Sequence, residues 1–246
     1  MSILVRAIAA ACVSVLGVAV PAYSAAPHPR SNIAADPAYV NVCAAQGSMS
    51  DACISDTVDA IDAARAHEQM TKPMLILPAN YRSLSPPDQA FVVIDLERVD
   101  RGLRPIVGMV AGLNHDAQWA AGSENDPYLS YSQMRLAGVR VYRSLYARAY
   151  GALAADYEWM YDDGYSAGGT TNAACTSPDA SGCWAHRAAI LDRFYGLRQI
   201  IGGMGAVGMA SDAIRVTAIL AAGRGRPRHF TYTWREALAQ GADGAS

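Results

Sequence analysis

The chain has 246 residues, 52% of them hydrophobic, with 20 basic and 22 acidic side chains and a formal charge of −2. That balance excludes the broad basic footprint of a nucleic-acid-binding protein, and the small Arg224, Arg226, Arg228 cluster reads as a solvated turn. After residue 24 no segment is long and apolar enough to span a bilayer, so no transmembrane segment is expected once that leader is removed.

Residues 1–24 read as a secretory signal peptide. Arg6 supplies the early positive charge, Ala7 to Val20 the apolar run, Pro21 its break, and Ala22, Ser24 and Ala25 the small residues of a cleavage region. The mature chain is therefore expected to be secreted or held in the cell envelope. Residues 25–40 are polar and Pro-rich, a disordered tail. Cys12 leaves with the leader, and the four cysteines that remain favour disulfides in an exported protein. Of the three connectivities, the local pairs Cys43–Cys53 and Cys175–Cys183 are preferred, because each pair lies within one short stretch. Loops of this size contribute about 2–3 kcal/mol each. Metal-ligand spacing is absent, so neither a metal nor another cofactor is expected.

Residues 41–85 form a helical extension. Val58, Ile61 and Ala64 recur at helical spacing, with Ser55 as the expected N-cap. The run "SPPDQAFVVIDLERVDRGLRPI" is the clearest helix. Ser85 caps it, Pro86 fits its first position, and Val92, Leu96, Val99 and Leu103 form an apolar stripe that Gly102 terminates. "GLNHDAQWAA" predicts a shorter helix ending at Gly122. "GALAADYEWMYDDG" predicts another, with Leu153, Tyr157 and Tyr161 on one face and Gly164 as its stop. A Gly-, Ser- and Thr-rich loop follows, and "CWAHRAAIL" resumes helix with Trp184, Ala188 and Leu191 aligned. The segments "IIGGMGAVGM", "IRVTAILAAG" and "HFTYTW" read as strands of an antiparallel sheet, and residues 239–246 as a disordered tail. Helices first and strands last predict an α+β class.

Two motifs fail on context. "GYSAG" matches a nucleophile elbow at Ser166, with Asp179 or Asp192 and then His229 in triad order. Its serine, however, lacks the preceding strand and following helix. "GMGAVG", Gly203 to Gly208, matches a dinucleotide fingerprint, yet Ala213 to Arg235 contains no acidic residue for the ribose. Gly-punctuated strand is the better reading.

Three further stretches, in order, carry a resemblance. "LERVDRGLRPI", "EWMYDDG" and "GCWAHRAAIL" resemble successive signatures of the CAP superfamily, the SCP-like or cysteine-rich secretory and pathogenesis-related domain, in its bacterial secreted form. The resemblance implies a CAP/SCP-like domain over residues 86–238, built as an α-β-α sandwich with a central antiparallel sheet and a groove. It also implies a groove tetrad of two histidines and two glutamates, of which this chain keeps little. His186 matches the second histidine. Asp162, three residues after Trp159, stands where one glutamate would be, and Asp126 is the nearest polar residue to the first histidine's place. An Asp162–His186 hydrogen bond is expected, in a site too poor in ligands to hold zinc.

The function that follows is a non-enzymatic extracellular or envelope binding protein. It would take a lipid or envelope glycan in the groove at His186, Asp162 and Asp126, or in an apolar cleft. A secreted hydrolase, working through Ser166 or through a water activated at Asp162 and His186, is the alternative.

Overall fold

A computed structural model describes residues 38–163, 184–197, 199–209, 213–224 and 229–244. The leader, Ser166, Cys175, Asp179 and Cys183 lie outside the described residues. In chain order the elements are α1 (Tyr39–Gln46), α2 (Asp51–His67), α3 (Pro86–Val99), β1 (Gly108–Met109), α4 (Ala111–Ser123), α5 (Tyr131–Leu136) and β2 (Val139–Ala149). They continue with α6 (Ala152–Tyr161), α7 (Ala185–Ile190), β3 (Gln199–Gly208), β4 (Ile214–Gly223), β5 (Tyr232–Thr233) and α8 (Trp234–Ala239). None of these helices is long and apolar enough to cross a membrane.

The fold is mixed α and β, with one open five-stranded sheet in the order β2-β4-β3-β1-β5. β2, β4 and β3 pair antiparallel, whereas β1 runs parallel to β3 at Met109↔Gly202. The sheet is therefore mixed rather than antiparallel. Successive strand residues face opposite sides, and β4 divides accordingly. Val216, Ala218, Leu220 and Ala222 enter the larger apolar cluster, with residues of α1, α2, α3, α6 and α7. Ile219 and Ala221 enter a smaller cluster with Leu113 and Ala117 of α4.

α3 begins as its sequence requires: the Ser85 hydroxyl accepts from the Asp88 amide and Pro86 opens the helix. Gly102, at φ +70°, takes the left-handed turn after it. The expected single stripe is exceeded, because every residue from Gln89 to Arg98 is buried. Two of the buried polar residues of this central helix are tied to backbone. Asp95 accepts from the Ile106 amide at 2.7 Å, and Arg98 donates to the carbonyls of Arg104 at 2.9 Å and Asp192 at 3.0 Å, and also to that of Ile190.

The glycines of "GMGAVG" serve packing. A Cβ on Gly203 would collide with Leu113, and one on Gly205 with the Ala117–Gln118 backbone, so α4 lies directly on β3. The Gln118 side chain brackets Ala206, donating to its carbonyl at 2.9 Å and accepting from its amide at 3.1 Å. One turn earlier, Asn114 accepts from the Met204 amide at 3.1 Å. Four helical residues rise about 6 Å and two strand residues about 6.6 Å, so the two amide side chains match the strand repeat.

Several expectations need correction. α2 starts earlier than predicted: Ser50, not Ser55, is its N-cap, accepting from the Cys53 amide at 3.1 Å. Tyr39 and Val40, assigned to the tail, belong to α1, and Tyr39 is buried with its ring 5.3 Å from that of Tyr157. At the other end "HFTYTW" holds only the two-residue β5, because the Thr233 hydroxyl caps α8. Residues 239–244 close α8 and form a 3-10 turn (Ala242–Gly244) with Ala242 buried, so they are no loose tail. Cys43 and Cys53 form the expected disulfide.

Candidate functional site

α6 ends at Tyr161, before the predicted Gly164, and Asp162 adopts a non-helical φ of −141°. That turn decides which carboxylate meets the histidine. The expected Asp162–His186 bond is replaced by one to Asp163, whose Oδ1 lies 3.0 Å from His186 Nδ1. Its Oδ2 accepts from the His186 backbone amide at 3.3 Å. The other ring nitrogen, Nε2, lies 3.2 Å from Oδ1 of Asp126, in the segment between α4 and α5. Asp162 instead ends the helix, its amide donating to the carbonyls of Tyr157 and Glu158. Of the three predicted site residues, the fold therefore brings His186 and Asp126 together and gives Asp162's part to Asp163.

The imidazole is 16% exposed, Asp163 4% and Asp126 52%. Burial alone would lower the imidazole pKa, but hydrogen bonds and charge from Asp126 and Asp163 outweigh it and hold His186 at about 9. At neutral pH the ring is an imidazolium between two carboxylates, with each N–H engaged. Nearby, burial and then the charges of Asp162 and Asp163 push the Glu158 carboxyl up to about 8. Among the described residues no group of three or more His, Cys, Asp or Glu is placed to hold a metal ion.

The neighbouring residue anchors α7, and sequence reasoning missed it. Arg187 is fully buried, with its Nη1 2.7 Å from Oε1 of Glu68 and its Nη2 2.9 Å from Oε2; it also donates to the Met160 carbonyl at 3.0 Å. Glu68 also accepts from Arg101 at 3.0 Å, and Arg101 pairs with Glu97. Arg65 of α2 reaches Glu97 at 3.0 Å and Asp100 at 2.8 Å, while Tyr161 bridges Arg101 and Glu97. Burial works against ionising Glu97, yet Arg101 and Arg65 hold its pKa down at about 2. Asp156 is driven the other way, by burial and then by the charge of Glu97. Arg65, Arg101 and Arg187 thus share the carboxylates of Glu68, Glu97 and Asp100. The buried face of α7 accordingly holds Arg187, Ala189 and Ile190, and the expected alignment of Ala188 with Trp184 does not form, since Ala188 is exposed.

Of the hydrolase candidates, Ser166 and Asp179 lie outside the described residues. Asp192 pairs with Arg143 at 2.6 Å and His229 is exposed.

A cleft of about 620 Å³ opens between α4, α5 and β3. Val110, Leu113, Leu136 and Ile201 give it apolar walls, and Asp116 and Gln133, bonded to each other at 2.9 Å, give it a polar margin. This lies within the roughly 300–1,000 Å³ range of small-molecule sites. Of its walls, α4 and β3 are expected from the sequence, whereas α5 was not recognised as a helix. Comparison of the chain with protein-family models, curated proteins and solved structures finds no match.

Proposed function

We propose that this is an extracellular or cell-envelope binding protein of CAP-like architecture that takes a small amphiphile in the α4–α5 cleft. The observation that carries the reading is the cleft itself: apolar walls, a polar margin at Asp116 and Gln133, and a volume within the range of small-molecule sites. The division of β4 between two apolar clusters favours the α-β-α sandwich that the sequence resemblance implies. In this reading His186 serves architecture. An imidazolium closed by two carboxylates joins the α4–α5 segment to α6 and α7, and this favours binding over catalysis.

The test is titration with a fluorescent acyl-chain probe. Ala137→Trp, which fills the cleft from the end of α5, should weaken probe binding at least tenfold with the circular dichroism spectrum unchanged. His186→Gln should leave probe binding within about twofold. Equal binding by Ala137→Trp and the parent chain would remove the cleft from the proposal.

A further inference from the structure

The stretch from Trp119 to Leu136 holds half of the strongly exposed large apolar side chains among the described residues. Trp119 is 70% exposed, Tyr128 76%, Tyr131 80% and Leu136 88%. The others, Met49, Met74, Ile76 and Tyr195, are dispersed along the chain. Leu136 also lines the cleft, so this surface adjoins its opening. α5 has no buried residue, and Tyr131, Ser132, Arg135 and Leu136 make up its exposed face. Exposed apolar surface concentrated in one region marks an interaction site.

Charge selects the partner. The acidic groups of this region are engaged: Asp116 with Gln133, Glu124 with Arg215 at 2.5 Å, and Asp126 with His186. Arg135 on α5 and Arg140 at the start of β2 are exposed and make no ion pair among the described residues. Tryptophan and tyrosine favour the headgroup level of a bilayer, where one end of the ring is wet and the other apolar. Arginines beside them are attracted to anionic headgroups.

We propose that the exposed stretch around α5, with Tyr131, Arg135 and Leu136 of that helix, Trp119 of α4, Tyr128 before it and Arg140 after it, docks on an anionic lipid bilayer. The cleft opening would then meet the membrane surface from which an amphiphile is drawn. The proposal builds on the cleft reading, but its test is separate.

The experiment is co-sedimentation with vesicles of phosphatidylcholine alone and of phosphatidylcholine with 30% phosphatidylglycerol, about one lipid in three being anionic. Each variant is made in the full chain, so the apolar run from Ala7 to Val20 is common to all and differences report the α5 face. The parent should bind the anionic vesicles and release them as salt rises. The double variant Arg135→Glu/Arg140→Glu should lose about tenfold or more in partitioning, and Tyr131→Asp, whose side chain is exposed and does not line the cleft, a comparable amount, with acyl-probe binding retained as proof of folding. Vesicle binding that is indifferent to anionic lipid, or unchanged in both variants, overturns the proposal. Self-association of the parent chain, abolished by Tyr131→Asp and without vesicle binding, overturns it in favour of a second copy of the chain. Probe binding without vesicle binding rejects the docking surface and leaves the cleft. Vesicle binding without probe binding does the reverse.

Discussion

Asp163 meets His186 twice, through the ring at Nδ1 and through the backbone amide, so one carboxylate fixes both the side chain and the start of α7. The folded histidine titrates at about 9 against an unfolded value of 6.5. Its stabilising contribution is therefore complete below pH 6.5 and lost as pH rises through 9. Asp163→Asn should lower the His186 pKa by more than one unit in an NMR titration. It should reduce stability near pH 6 by roughly 1–3 kcal/mol and flatten the decline above it. A histidine that still titrates near 9 in this variant would show that Asp163 is not what charges it.

The buried arginine network should be far less tolerant. Glu68→Ala leaves Arg187 and Arg101 without a shared carboxylate in a water-poor site. Breaking such a pair costs about 3–5 kcal/mol, which urea denaturation reads directly. A loss below 1 kcal/mol would mean that solvent reaches the arginines.

The glycine contact between α4 and β3 gives a paired test. Gly205→Val drives a side chain into the α4 backbone and should destabilise the fold by about 1–3 kcal/mol. Gly122→Ala, in the same helix with open space around it, should stabilise by about 0.5–1 kcal/mol through helix propensity. Thermal denaturation of both should move in opposite directions. Similar shifts would refute the close approach.

Non-reducing peptide mapping should recover a Cys43–Cys53 link, and Cys43→Ser/Cys53→Ser should lower stability by about 2–3 kcal/mol. The same map tests the Cys175–Cys183 pairing expected from sequence. Free thiols at those two positions would refute it.

What the sequence disclosed was mostly local. Ser85, Pro86 and Gly102 announce α3 because capping and turn chemistry act within a few residues of their own position. β2 was missed because its arginines at 140, 143 and 148 interrupt the two-residue alternation; an edge strand can keep such charges in solvent. Counting three residues on from Trp159 pointed to Asp162, but a helix that stops at Tyr161 hands the contact to Asp163. The Glu68–Arg187 pair spans 119 positions, and no local pattern announces a contact made only by tertiary packing.

The side-chain amides of Asn114 and Gln118 occupy hydrogen-bonding groups on β3 that another strand would otherwise seek. An unpaired edge is a template for strand addition and fibre growth. Here a foreign strand must first displace a helix packed against glycines. The edge is guarded sterically, without the lysines or prolines that often discourage aggregation, and loosening α4 would expose it. Gly205→Val should therefore raise the tendency to form thioflavin-positive aggregates beyond what its loss of stability alone predicts.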